Sequence, residues 1–312
     1  MIFGGSTSIE VSTVVYSAAI GNQVYEKEFS ARRYKRELIC AGVTAGVAIL
    51  FSSPLAGLFF AMEVIARKTR GTLWISCGVA TVLSAVFIYF FDATYILQTP
   101  VKDWQLYALP FMVVLSLFGG VLSVIFTLLV VRVKDLFNAI SNNFIRVNLG
   151  ALSVGAMLFF FPELYGDSYL GIQNTITNAS NLQIVSVFSL VILALLKPIA
   201  AALTLGAGGD GGVFAPSIVA GAFLGLAFSI CCNYFFNFDL QLLNFAVIGA
   251  AATLSASIYS PLTTVLLICN MLPNGFALFY PIVLSCFTAT YFSKKLLPYN
   301  VYSYHKYLQA NL

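Results

Sequence analysis

The residues that could do chemistry are few, and most cluster around one loop. Leu205 to Ser217 reads Leu-Gly-Ala-Gly-Gly-Asp-Gly-Gly-Val-Phe-Ala-Pro-Ser, with five glycines in the seven residues before Val213. Glycine lets bare backbone approach a ligand and Pro216 suits a helix's first turn, so the stretch predicts a loop feeding a helix whose free N–H groups converge. Such a convergence binds anions. The apolar run that follows, Ile218 to Phe236, places it inside a membrane protein. A second glycine-containing turn, Gly4-Gly5-Ser6-Thr7-Ser8, leads into an apolar helix carrying one early carboxylate, Glu10. There an acid can simply favour the helix dipole; within a membrane it is also a functional candidate, because a lone ionisable group among apolar neighbours is costly.

The remaining polar candidates read as structural. Lys197, alone in the span before the glycine loop, either helps attract anions or, as the commoner role, snorkels to the interface. Asp210 reads as a cap on backbone donors in preference to a direct partner of an anion. His305, among tyrosines and beside Lys306, reads as interfacial. The six cysteines lie in apolar runs without metal-ligand spacing and are expected to be free thiols. No paired acids, and no His with Asp in one loop, offer a catalytic cluster, so neither an enzyme nor a cofactor or metal is expected.

Around these residues the chain is built for lipid. Of 312 residues, 60% are hydrophobic and 9% charged, against roughly 25% charged in a soluble domain. One all-α polytopic domain in the bilayer is expected, with about nine or ten segments of the ~20 residues a spanning helix needs. Apolar stretches run at about Leu38–Ala66, Thr72–Phe91, Leu106–Val131, Asn148–Phe161, Ile184–Leu205, Asn244–Met271 and Phe276–Phe292, with polar connections over 21–37 and 162–182. The net charge of +4 sits in short loops, as a positive-inside topology needs, and argues against a nucleic-acid partner.

Two apolar stretches are interrupted alike. Gly42, Ala45 and Ser53-Pro54-Leu55 coincide with Gly249, Ala252 and Ser260-Pro261-Leu262 at an offset of 207 residues. Each copy follows a glycine-rich helix start by roughly forty residues. Paired broken helices in two halves, here about 1–150 and 151–312, point to an inverted repeat with its site near the membrane midplane. Helix N-termini aimed at such a site favour anions without a full countercharge.

With these residues the sequence resembles the CLC family of chloride channels and chloride/proton antiporters. The family's Gly-x-Phe-x-Pro motif matches Gly212-Val213-Phe214-Ala215-Pro216, and its Pro-Leu-Ala-Gly stretch followed by a glutamate matches Pro54-Leu55-Ala56-Gly57 with Glu63. Ser260-Pro261-Leu262-Thr263 and Tyr302-Ser303 match two further motifs. The resemblance implies an inverted-repeat fold with broken and re-entrant helices in the cell membrane. It implies that the backbone of Gly212, Val213 and Phe214, in the filter loop of Gly208, Gly209 and Pro216, contacts a chloride-like anion that Tyr302 closes off on the inner side. It makes Glu10 the gating glutamate, and a homodimer the assembly, with the broken Pro54 and Pro261 segments supplying the interface.

Several positions depart from the family pattern. Gly-Arg/Lys-Glu-Gly-Pro around the gating acid is here Ser8-Ile9-Glu10-Val11-Ser12. The antiporters' second, proton-delivering glutamate is Val64, as in the channel branch, so a passive chloride pore is expected ahead of chloride/proton exchange. The family's first helices, one of which supplies a serine hydroxyl to the anion, are expected to be missing. The chain then reads as a truncated product, one part of a split gene or a short variant; a non-conducting fragment is a further alternative. With no nucleotide-binding-type module after Tyr302, the resemblance implies the simpler, prokaryotic-style architecture as an expectation.

Overall fold

Backbone in hydrocarbon must satisfy its own hydrogen bonds, and these apolar runs do so as helices. The computed structural model describes residues 5–8, 10–27, 33–66, 70–91, 95–180 and 186–311. Gly4, Ile9 and the side chains of His305 and Lys306 lie outside the described residues. The first helices are α1 (Glu10–Lys27), α2 (Lys35–Leu50), α3 (Pro54–Phe60) and α4 (Gly71–Phe90). Then come α5 (Leu109–Asn138), α6 (Asn143–Phe160), α7 (Tyr169–Ser180) and α8 (Val187–Gly206). The chain ends with α9 (Phe214–Phe236), α10 (Leu242–Ile258), α11 (Pro261–Met271), α12 (Phe279–Leu296) and α13 (Tyr304–Asn311). Among the described residues, six helices are long and apolar enough to cross a membrane: α4, α5, α6, α8, α9 and α12.

At the centre lie α9 and α10, apolar on every side, as helices surrounded by other helices must be. α9 packs on α10 and α8, and α10 also on α5 and α12. The α9–α10 crossing is so close that a Cβ on Gly221 would overlap the Gly249 carbonyl, and one on Gly249 the Gly221 carbonyl. Only glycine permits this approach. α1 and α2 cross in the same way, with Gly42 against the Ser17 carbonyl.

That likeness extends through four helices. α1 to α4 match α9 to α12 in order, and both sets break at the Ser-Pro-Leu sequence. At the first break Ser52 has φ 51° and Ser53 φ −134°, ψ 88°; at the second, Tyr259 has φ 58° and Ser260 φ −130°, ψ 79°. The chain thus leaves one helix through a left-handed residue and enters the next at a proline, which needs no N–H bond there.

Three local features differ from expectation. The polar connection at 162–182 contains α7, which buries Ile172 and Ile176 one turn apart while Gln173, Asn174, Thr175, Thr177 and Asn178 surround them in sequence. Two apolar residues in a helical register suffice to dock a helix but leave little periodic signal. The connection at 21–37 is partly helical, with α1 running to Lys27 and α2 beginning at Lys35. Beyond α3, residues Ala61–Ala66 form a π-helical turn holding Glu63 and Val64.

Candidate functional site

The two glycine-containing turns meet. Ser8 and Gly212 pair as an isolated antiparallel bridge, each two residues ahead of a helix, Glu10 starting α1 and Phe214 starting α9. The N-termini of the two helices therefore lie beside the same bridge. In α9 the first backbone bond runs from Ser217 N–H to the Val213 carbonyl (3.0 Å). The N–H groups of Val213, Phe214 and Ala215 therefore have no intrahelical acceptor, and Pro216 has none to satisfy. Gly208 (φ 96°) and Gly211 (φ 153°) take backbone conformations that disfavour any side chain and carry the loop into this geometry. The Phe214 ring turns away and packs on Phe60 and Phe51, with centroids 5.6 and 6.4 Å distant.

Glu10 closes one side of the junction. It is 3% exposed; Oε1 accepts the Tyr169 hydroxyl (3.0 Å), while Oε2 is buried with no hydrogen-bond partner among the described residues. The Ser8 hydroxyl, also buried, has none either.

Lys197 does not snorkel. It is fully buried, and Nζ donates to the Ser6 hydroxyl (2.9 Å), the Ser168 hydroxyl (2.8 Å) and the carbonyls of Gly166 (2.8 Å) and Leu164 (3.4 Å). Pro198 follows it within α8. A mid-helix ammonium cannot reach the interface, and this ring of oxygens takes the place of water. Lys197 thus joins the turn that carries Glu10 to the loop that carries Tyr169.

Tyr302 approaches from the C-terminal segment. Its side chain lies beside the backbone of Val213 and keeps 38% of its surface accessible, so it borders open space. The segment is held by Tyr259, the left-handed residue at the α10–α11 break, whose hydroxyl donates to the carbonyls of Leu297 (2.6 Å) and Tyr299 (2.9 Å). Glu10, Gly212, Val213, Phe214 and Tyr302, singled out from sequence, are therefore brought together; Val64 is not among them.

A family model described as voltage gated chloride channel matches residues 1–294. The chain belongs to this family. It is 30% identical over 266 residues to the H(+)/Cl(-) exchange transporter ClcA of Yersinia pestis bv. Antiqua (strain Angola), covering 82% of this chain and 54% of that one. To the protein of the same name from Vibrio parahaemolyticus serotype O3:K6 it is 28% identical over 310 residues, covering 94% and 64%. It spans little more than half to about two thirds of these relatives' lengths. The fold matches a crystal structure of a CLC-type fluoride/proton antiporter (TM-score 0.77, 23% identity, 96% of this chain and 72% of the other). It also matches a slow cyanobacterial Cl-/H+ antiporter (TM-score 0.79, 21% identity, 96% and 71%). This CLC chain is a multi-pass membrane protein with the family's all-α fold.

Two departures from the CLC pattern answer each other across the junction. Ser12 donates its hydroxyl to Asp210 Oδ2 (2.8 Å), and the Thr7 hydroxyl donates to the Asp210 carbonyl (3.3 Å). Asp210 therefore accepts from a side chain of α1 and does not cap α9, whose start has no side-chain cap. Val11 fits because Gly212 is bare: a Cβ on Gly212 would overlap the Val11 methyl. Val64, half-buried, packs on the apolar core, and Glu63 beside it is occupied. Its carboxylate accepts the N–H of Leu262 (3.3 Å) and both the N–H (2.9 Å) and hydroxyl (2.7 Å) of Thr263, in the first turn of α11.

Proposed function

We propose that this chain moves chloride or a similar small anion across the membrane, passively, through the junction of α1 and α9 and under the control of Glu10. One observation supports the reading: the Ser8–Gly212 bridge brings two helix N-termini to one place, and the buried Glu10 carboxylate starts one of them. The N–H groups of Val213 and Phe214, beside Gly212, would bind the anion through partial charges that hold it without trapping it. Gly208, Gly209 and Pro216 shape the loop, and the Tyr302 hydroxyl bounds the opposite side. An ionised Glu10 competes with the anion for the same donors; a protonated one releases them. The transported anion is the only ligand the mechanism requires.

Passive movement is favoured by Val64, which cannot carry a proton, and by Glu63, whose carboxylate is engaged at α11. A second reading, proton-coupled exchange, is favoured by the names of the Yersinia and Vibrio relatives. It needs a proton route that avoids Val64. We further propose a homodimer through the α3 and α11 region, where Leu55 and Leu262 are exposed.

Chloride efflux from loaded proteoliposomes, with external pH recorded, tests the reading. Chloride loss without linked proton movement is expected. Linked proton movement selects the second reading, and no efflux from folded protein contradicts both.

A further inference from the structure

Tyr169 has no part in the mechanism so far, and its surroundings are built to aim it. Its backbone N–H donates to Asp167 Oδ1 (3.1 Å) at the start of α7, a side-chain turn that fixes the entry of the helix. The loop before it is held by Lys197 at Gly166 and Ser168, and the same ammonium holds Ser6, four residues before Glu10. One buried cation therefore sets both ends of a short link between the loop at 164–168 and the turn at 5–8. Across that link the Tyr169 hydroxyl donates to Glu10 Oε1 at 3.0 Å.

We propose that Tyr169 is the latch of Glu10, a positioning residue whose phenol holds the carboxylate in its buried seat and sets how readily the side chain leaves it. The proposal rests on the gating role of Glu10 given above. A phenol O–H donates to an ionised carboxylate with the strength of a charge-assisted bond, and that bond is lost when the carboxyl departs. The other groups around Glu10 are the Ser8 hydroxyl at the same helix start, Asp167 before α7, Lys197 on α8 and Tyr302 in the C-terminal segment. Tyr169 reaches it from a different helix, at Oε1. At Oε1 the phenol is the donor, so this bond is lost when the carboxyl leaves its seat.

The test compares Tyr169→Phe with the unaltered chain, each reconstituted in lipid and followed by infrared spectroscopy across pH. The Glu10 carboxylate band is the one lost in Glu10→Gln. Removing the donor disfavours the ionised form, so the protonation midpoint of that band should rise by about one pH unit. Anion efflux at neutral pH should rise several-fold, and Tyr169→Phe should change nothing in a Glu10→Gln background. An identical infrared titration in the two proteins, including none in either, overturns the proposal. If Glu10→Gln leaves the pH profile of efflux unchanged, the gating role falls instead, and the infrared comparison still decides the bond. Should Tyr169→Phe not fold, isotope-labelled tyrosine in the unaltered chain replaces it: the C–O stretch of Tyr169 should shift in step with the Glu10 band, and a stretch indifferent to it overturns the latch.

Discussion

Glu63 and Asn270, 207 residues apart, occupy equivalent positions in the two repeats, and each reaches the start of the opposite half-helix. The Glu63 carboxylate meets Leu262 and Thr263 at the head of α11, and Asn270 Nδ2 donates to the Ser53 hydroxyl (3.0 Å) at the head of α3. The broken helices thus brace one another reciprocally, and the bracing stands beside the turn that holds Val64.

Glu63→Ala should remove the cap from α11 and lower stability by about 2 kcal/mol, since capping and charge-assisted bonds are lost together. The thermal midpoint in detergent measures this. An unchanged midpoint would show that the carboxylate contributes nothing to the helix start. Anion selectivity should stay as it is.

Ser52 and Tyr259 share a left-handed conformation that costs a non-glycine residue of order 1 kcal/mol. Ser52→Gly should therefore leave stability equal or higher. Tyr259→Gly relieves the same strain but releases Leu297 and Tyr299, so it should destabilise the C-terminal segment and disturb Tyr302. Limited proteolysis of that segment distinguishes the two; equal protection in both variants would contradict the assigned role of the Tyr259 hydroxyl.

Glu10→Gln makes the side chain permanently neutral. In the unaltered chain flux should increase as pH falls and Glu10 takes up a proton; in the variant it should be high throughout and independent of pH. Flux that keeps its full pH response would remove Glu10 from gating.

Tyr302→Phe keeps the ring and removes the hydroxyl. Loss of one neutral hydrogen bond, about 1 kcal/mol, should weaken anion binding about fivefold. Titration calorimetry reads this directly, and an unchanged affinity would sink the assignment.

Much of this was legible in the sequence because backbone chemistry leaves marks there. The glycines at 208 and 211, Pro216, and the two Ser-Pro-Leu breaks each reflect a conformation only certain residues tolerate, and the structure holds those conformations. What stayed hidden depends on residues distant in the chain. Lys197 looks like any lysine near a helix end until loops 31 and 191 residues away surround it. α7 is too polar to show a strong helical pattern, and with it Tyr169 went unnoticed. Ser12 and Asp210, each odd alone, explain one another only once the bridge brings them together.

The most direct test of the central claim is anomalous diffraction from crystals of this chain grown in bromide. An anomalous peak within hydrogen-bond distance of the Val213 and Phe214 N–H groups, near the Tyr302 hydroxyl, is the expected result. Ordered density for Gly212 to Pro216 with no peak there would contradict an anion site at the junction of α1 and α9.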